Sequence, residues 1–174
     1  MAQLGNDHHF TVTATTRAPR PAERDGINHF FVSVDQFLDM RSKGQLLEWA
    51  EVYGNYYGVP RQQVRDALAR GKHVMVRVDV QGARRIREIV PEAVFVFVKP
   101  PSEEVLRKHL VNRGVNTEAD MARRLAAAKK EMAEANSFDY VITNKEDDLD
   151  STVRAITEII EKESTRMPPR RTAL

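Results

Sequence analysis

The amino-acid sequence predicts an α/β fold, a doubly wound sheet of mostly parallel strands with helices packed on both faces. Three largely apolar runs, the first two of them rich in valine, carry this prediction, because strands covered on both faces have continuous apolar sequences. They are residues 74–80, 94–98 and 140–143. Helical segments separate or follow these runs, at residues 83–90, 102–113, 117–135 and 149–161. In such folds, ligands bind beyond the carboxyl ends of the strands.

The N-terminal part of the chain has a different pattern, with short strands separated by turns. Ser33 is expected to cap a helix at residues 34–42. Residues 1–5 resemble the end of a helix, with Gly5 as the residue that follows it, or a frayed terminus. The other predicted elements are strands at residues 11–15, 29–33 and 46–53, an aromatic turn at residues 54–58 and a helix at residues 60–70.

Composition excludes several functional classes. The 174 residues are predicted to form one domain, and a formal charge of +2 is too small for a dedicated nucleic-acid-binding protein. Cysteine is absent from the sequence, which excludes disulfides, thiol nucleophiles and cysteine-ligated zinc. No apolar run reaches membrane-spanning length. We therefore expect a cytoplasmic protein with neither a nucleic-acid nor a membrane partner.

Two arginines follow the first predicted strand. Pro19 ends the strand, so Arg17 and Arg20 leave the sheet three residues apart, after a cluster of threonines that includes Thr13. The planar guanidinium group matches phosphate oxygens, and threonine hydroxyls can donate to the remaining ones. The stretch predicts either a phosphate site or an exposed edge strand with solubilising arginines.

A carboxylate lies in an otherwise apolar strand, where Glu48 precedes Trp49. A base with two adjacent N–H donors, such as guanine, suits a carboxylate acceptor. The alternative is a strand residue that faces solvent. The hydroxyl of Tyr57, beside the aromatic turn, can reach a phosphate or can simply pack.

Asp79 lies near the end of the valine-rich run at residues 74–80. A carboxylate there can orient Mg²⁺-bound water or a substrate group, or can cap the next helix. Arg113 and Arg124 lie at and beyond a junction between two helices. They are typical either of a mobile lid over a transferred phosphoryl group or of solvated helix faces.

Taken together, these stretches resemble the guanylate kinase family. The resemblance implies phosphoryl transfer from ATP to GMP with Mg²⁺, on a P-loop-kinase-like sheet with a small mixed GMP-binding subdomain and a helical lid. The matching segments follow the family's order and cover nearly all of residues 10–160: TVTATTRAPRP, DGINHFFVS, LLEWAEVYGNYYGVP, VDVQGA, FVFVKPPS, NRGVNTEADMARRL, FDYVITN and DDLD.

The resemblance also implies roles for single residues. Those expected at GMP are Thr13, Arg17, Arg20, His29, Glu48, Tyr57 and Asp79. Those expected at ATP are Arg113, Arg124 and Asn144. Those expected to take part in the transfer are Arg17, Arg113, Arg124 and Asp79. Because phosphoryl transfer depends on positioning and charge neutralisation, an arginine-rich set makes physical sense.

The sequence departs from the family pattern at four positions. His29 replaces a phosphate-binding tyrosine, Arg77 a common acidic residue, Val59 a small hydroxyl residue and His109 a lid arginine. A histidine can still donate to phosphate, although its charge then depends on pH. We expect each departure to weaken affinity or rate.

The largest departure is an absent motif. The family's phosphate-binding loop, G-x-x-x-x-G-K-[ST], occurs nowhere in the 174 residues. We expect a chain that begins inside the helix after that loop and lacks the first, central strand. Without the loop, ATP phosphates have no nest of backbone N–H groups and Mg²⁺ has no loop hydroxyl. Little or no turnover by these residues alone is expected.

We expect residues 1–163 to form one guanylate-kinase-like domain, with a GMP-binding subdomain at about residues 10–60 and a lid at about 114–124. Residues 164–174 are basic and are predicted to form a disordered tail. A non-catalytic module that binds GMP or a protein partner is the alternative function. A homo-oligomer that supplies the absent strand from another chain is a further possibility.

Overall fold

The computed structural model describes residues 7–112, 117–145, 148–168, 170, 172 and 174. The chain divides into two compact units, the first ending at Pro91 and the second spanning Glu92–Thr172. Within these described ranges, none of the helices combines the length and the apolar character that crossing a membrane requires.

Eight strands and six helices are described. The strands are β1 His8–Phe10, β2 Thr13–Thr15, β3 His29–Phe31, β4 Leu46–Val52, β5 Asn55–Pro60, β6 His73–Met75, β7 Val96–Lys99 and β8 Tyr140–Thr143. The helices are α1 Val34–Ser42, α2 Arg61–Ala69, α3 Val80–Ile89, α4 Glu103–Asn112, α5 Glu118–Ala133 and α6 Leu149–Ser164.

A four-stranded mixed sheet dominates the first unit, with strand order β3-β2-β5-β4. Strand β2 pairs parallel with β3 and antiparallel with β5. The register places Thr13 opposite His29, and Thr15 opposite both Phe31 and Tyr57. Because alternate residues of a strand share a face, these five side chains lie on one face of the sheet.

The opposite face of this sheet packs on helix α1. Ala14 and Phe37 are fully buried there together with Leu46, and the rings of Phe37 and Tyr56 stack with centroids 5.3 Å apart. The predicted start of α1 is confirmed. Ser33 Oγ accepts from the backbone N–H of Gln36 at 3.1 Å, and the Gln36 side chain accepts from Ser33 at 2.8 Å.

The hairpin between β4 and β5 differs from the prediction. Its turn consists of Tyr53 and Gly54, with φ of 52° and 76°, as two-residue turns between twisted strands require. Residues 55–58, predicted as a turn, instead belong to β5. At Gly58 an added Cβ would lie 3.0 Å from both Phe37 and Leu46 side chains, so close packing selects glycine there.

The first valine-rich run is only partly a strand. Strand β6 pairs parallel with β1 and ends at Met75, so the strand predicted for residues 74–80 is wrong beyond that point. Asp79 caps α3, which begins at Val80, three residues before the predicted start. Strand β1 was not predicted, and the helix end predicted at residues 1–5 lies outside the described residues.

The second unit contains a parallel pair of strands and three helices. Strands β7 and β8 pair in register from Val96 opposite Tyr140 to Lys99 opposite Thr143. Helices α4 and α5 pack through a cluster of buried apolar side chains, consisting of Leu110, Met121 and Leu125. Met121 and Leu125 lie four residues apart on α5 and therefore share one face of that helix.

At the C-terminal end, α6 continues to Ser164. Beyond it, Arg170 Nε lies 2.9 Å from a carboxylate oxygen of Glu163, and Arg170 Nη2 lies 3.4 Å from one of Asp139. Arg170 also donates to the carbonyl oxygen of Ala93 at 3.1 Å. Within the predicted tail, this arginine therefore connects to the body of the second unit.

Candidate functional site

One face of the mixed sheet collects most of the predicted phosphate-binding residues. Register places Thr13 opposite His29, and Tyr57 lies on the other side of β2. The His29 and Tyr57 rings have centroids 6.3 Å apart, and the Arg17 guanidinium lies 5.7 Å from the Phe31 ring centroid. These side chains form a cluster of hydrogen-bond donors at the β2–β3–β5 face.

Arg17 already holds an anion in this structure. Its Nη1 and Nη2 atoms donate to the two carboxylate oxygens of Glu23 at 2.9 and 3.0 Å, the paired geometry that guanidinium also offers to phosphate. This pairing lowers the pKa of Glu23 to about 2. Hydrogen bonds with Glu23 and Tyr57 raise the pKa of Arg17, against the effect of burial.

Arg20 reaches the same group only through its backbone. Its N–H donates to a carboxylate oxygen of Glu23 at 2.7 Å, and its side chain is exposed. Glu23 therefore joins the Arg17 guanidinium to the main chain at Arg20. A phosphate bound there would meet one arginine engaged by a carboxylate and another exposed to solvent.

His29 is held against the backbone of the neighbouring strand. Its Nδ1 lies 3.3 Å from the carbonyl oxygen of Thr13, which can only accept, so Nδ1 carries the proton. Burial lowers the pKa of His29, and the positive charges of Arg17 and Arg77 act in the same direction. A neutral imidazole at pH 7 follows, a weaker partner for phosphate than an imidazolium.

Glu48 is the most unusual group of the first unit. Its side chain lies on β4, the residue is only 6% exposed, and its Oε2 has no hydrogen-bond partner among the described residues. Burial raises its pKa to about 7, the negative charge of Asp79 adds to this effect, and the positive charge of Arg85 opposes it. A buried carboxylate with an unused oxygen is suited to accept from a ligand.

The start of α3 is built against this carboxylate. The backbone N–H of Gly82 donates to Asp79 Oδ1 at 2.7 Å, so Asp79 serves as the helix cap that the sequence allowed. A Cβ at residue 82 would lie 2.9 Å from Glu48 Oε2. Glycine is therefore the residue that leaves room for the Glu48 side chain.

The segment before α3 interacts electrostatically with both His29 of the arginine cluster and the Glu48 carboxyl. Arg77 acts electrostatically on His29, and Asp79, two residues further on, acts on Glu48. The predicted phosphate-binding cluster and the predicted base acceptor therefore lie along one segment of the same unit.

Sequence reasoning missed two charged residues here. In the sequence, Glu23 lies in the charged connection after β2. It follows Arg17 by six residues, a spacing that does not bring two side chains together on a helix or a strand. Arg85 lies with its guanidinium carbon 5.4 Å from the Trp49 ring centroid, and Arg41 lies 4.6 Å from the same centroid. In the sequence, the available indication of this contact was Trp49 together with the arginines of α3, because arginine side chains stack on aromatic rings.

The residues predicted at ATP belong to the second unit or lie outside the described ranges. Arg113 is among residues 113–116, which the structure does not describe. Arg124 Nε lies 3.1 Å from Asp120 Oδ2 on α5. The side-chain oxygen of Asn144 accepts from the Thr152 hydroxyl at 2.9 Å.

A magnesium site is a further feature that the family resemblance implies. The described part of the chain holds no group of three or more histidine, aspartate or glutamate side chains arranged to hold a metal ion. Asp79, the carboxylate predicted near the metal, uses Oδ1 to cap α3. The described residues therefore form no metal site built from protein side chains alone, whereas Mg²⁺ that arrives with a nucleotide is held largely by phosphate oxygens and water.

The architecture and this site together define the class of protein. The chain is an α/β protein in which a small mixed sheet presents paired arginines and a buried carboxylate. A structure of guanylate kinase from Anaplasma phagocytophilum resembles it with a TM-score of 0.78 and 33% identity, over 96% of this chain and 80% of that one. The predicted α/β fold class is confirmed.

The family follows from the sequence comparisons. The guanylate kinase family model matches residues 1–163. Guanylate kinase of Halalkalibacterium halodurans is 48% identical over 140 residues, 80% of this chain and 69% of that protein. Guanylate kinase 2, chloroplastic/mitochondrial, of Oryza sativa subsp. japonica is 44% identical over 163 residues, 93% of this chain and 57% of that protein. The chain belongs to the guanylate kinase family, and it spans little more than half the length of the rice relative.

Proposed function

We propose that the first unit binds GMP as the phosphoryl acceptor of the guanylate kinase reaction, in which transfer from ATP to GMP gives ADP and GDP. The observation that carries this proposal is the buried Glu48 carboxylate with its unpartnered Oε2, in the same unit as the arginine cluster of β2 and β3. Family membership supports the same substrate pair.

At the base end, Glu48 would accept hydrogen bonds from the N1–H and 2-amino groups of guanine. Both donors lie side by side on one edge of the base, so one carboxylate can accept from both. Adenine lacks this pair and would leave the buried carboxylate unsatisfied, which makes discrimination strong. Asp79 raises the cost of ionising Glu48 in the free protein, and the ligand's N–H groups would offset that cost.

At the phosphate end, Arg17, Arg20 and Tyr57 would hold the GMP phosphate, with Thr13 and His29 beside them. The Glu23 carboxylate, which now engages both Nη atoms of Arg17, stands where an anion would bind. The phosphate would either displace Glu23 or use the remaining donors of the cluster. In both cases the arginines supply the charge neutralisation that phosphoryl transfer needs.

The ATP side of the proposal rests on the family alone. Arg113, Arg124 and Asn144 are its candidate residues, and ATP would arrive with Mg²⁺. Since the described residues form no protein-only metal site, Mg²⁺ would be held mainly by the ATP phosphates. These 174 residues, which lack the phosphate-binding-loop motif, are expected to bind GMP without ordinary turnover.

The test is a pair of calorimetric titrations, one with GMP and one with ATP and Mg²⁺, on the same preparation. Saturable GMP binding with weak or absent ATP binding is the expected result. Absence of GMP binding at millimolar concentration would reject the proposal and favour a non-catalytic module that binds a protein partner. AMP serves as the matched control, because it has the same phosphate and a different base edge.

A further inference from the structure

Two ionisable side chains of the first unit, one acidic and one basic, each have a buried atom without a hydrogen-bond partner. Glu48 Oε2 and Arg85 Nη1 are both shielded from solvent, and neither has a hydrogen-bond partner within the described ranges. Buried polar atoms are nearly always paired, since an unpaired one costs free energy. A carboxylate oxygen that can accept and a guanidinium nitrogen that can donate are together suited to a ligand that presents both a donor and an acceptor.

The structure places these groups beside each other. Gly82 contacts the Glu48 carboxylate, and Arg85 lies three residues later, on the same side of α3. The Arg85 guanidinium carbon is 5.4 Å from the ring centroid of Trp49, the residue after Glu48. The charge of Arg85 also acts on the Glu48 carboxyl.

Trp49 restricts the position of the Arg85 side chain. A guanidinium over an indole face is attracted by the ring and loses less entropy when it binds a ligand. Val59 on β5 is fully buried and carries no hydrogen-bond donor in its side chain. Val59 therefore cannot supply a side-chain donor to an oxygen acceptor on a base held by Glu48.

We propose that Arg85 is the donor arm of the base-binding site, and that its Nη1 hydrogen-bonds the 6-oxo group of the guanine whose N–H groups Glu48 accepts. The inference rests on the proposed GMP binding and assigns a specificity residue to it. Guanine presents the 6-oxo acceptor next to its N1–H and 2-amino donors. Adenine presents a 6-amino donor there, so both Arg85 and Glu48 would face the wrong group.

The test compares three monophosphates by calorimetry on the wild-type chain and on Arg85→Met. GMP and inosine monophosphate carry the 6-oxo group, and 2-aminopurine riboside monophosphate lacks both this group and the N1 proton while keeping the 2-amino group, so its weaker binding is compared only between the wild type and the variant. We expect Arg85→Met to lower the affinity for GMP and for inosine monophosphate by the same factor, at least about tenfold. Binding of the 2-aminopurine analogue should change less than about twofold.

Two further variants separate a base contact from a structural role. Arg41→Met removes the other cation near Trp49 and should leave the ratio of GMP to analogue affinity unchanged. Arg85→Lys keeps a donor and should recover part of the GMP preference. Thermal melting of each variant reports whether the fold is intact.

Two outcomes would overturn the inference alone while GMP binding stands. One is an equal loss for all three ligands in Arg85→Met, which would make Arg85 only an electrostatic support for Glu48. The other is unchanged GMP affinity in that variant. Failure of the wild-type chain to bind GMP would instead reject the proposed function, and with it this assignment.

Discussion

Glu48→Gln separates the stability of the fold from the function of the site. The substitution keeps the shape of the side chain, removes its charge and replaces one acceptor oxygen by an amide donor. Because Glu48 is buried with an unpartnered oxygen, the ionised form is costly in the free protein. We therefore expect the variant to be more stable than the wild type at alkaline pH and to bind GMP poorly.

The magnitude follows from the pKa. A glutamate ordinarily titrates at 4.5, and burial together with Asp79 raises the pKa of Glu48 to about 7. The folded state thus holds its proton longer than the unfolded state, so stability falls as pH rises from 4.5 to 7. At about 1.4 kcal/mol per pH unit, the wild type should lose roughly 2–3 kcal/mol between pH 5 and pH 8 that the variant does not lose.

Urea unfolding at pH 5 and pH 8 measures this difference, with the wild type and Glu48→Gln studied side by side. Calorimetry with GMP at pH 8 completes the experiment. Loss of two charge-assisted hydrogen bonds should lower the affinity for GMP by at least about 100-fold. Glu51→Gln is the matched control, because Glu51 lies on the same strand and is exposed.

An identical stability difference between the two proteins at both pH values would show that Glu48 is not a desolvated carboxylate. Unchanged GMP affinity in the variant would defeat its assignment to the base, whatever the stability data show.

Four other predictions concern the same unit. Arg20→Ala should lower GMP affinity at least about tenfold without changing thermal melting, because its side chain is exposed; unaltered affinity would remove it from the phosphate site. Gly82→Ala places a Cβ 2.9 Å from the Glu48 carboxylate and should weaken GMP binding in calorimetry, whereas Gln81→Ala should not. Glu23→Gln should cost about 1 kcal/mol at pH 7 and flatten the loss of stability between pH 4.5 and 2 in urea unfolding, because the pKa of Glu23 is about 2 when paired; parallel acid profiles would contradict this. A coupled assay with GMP, ATP and Mg²⁺ should detect no turnover by the 174-residue chain, and ordinary kinase rates would overturn that expectation.

Helices were predictable where the signals are local. The Ser33 cap and the bounds of α1 are confirmed because a cap, its partner three residues later and the apolar spacing all lie within one short segment. Strand ends were less predictable. Tyr53 adopts a left-handed backbone conformation in the β4–β5 turn. Because tyrosine seldom adopts this conformation, the sequence predicts the turn one residue too late, starting at Gly54.

The site shows the same division. Strand register places His29 and Tyr57, which the sequence singled out, on one face of the mixed sheet, and Arg17 reaches the same group of side chains from the connection after β2, with its guanidinium 5.7 Å from the Phe31 ring centroid. Their roles toward GMP stay predictions. The pairing of Glu23 with Arg17 was not predictable, since it depends on how the connection after β2 turns back.

The amino-acid sequence shows which chemical groups this member of the guanylate kinase family carries and in what order, including two arginines three residues apart and a carboxylate within an apolar strand. The burial of Glu48 with an unpartnered oxygen, the pairing of Arg17 with Glu23 and the position of Arg85 over Trp49 became evident from the folded chain. Burial and charge–charge distance depend on strand pairing and helix placement between segments far apart in the chain. Local residue patterns do not specify these quantities.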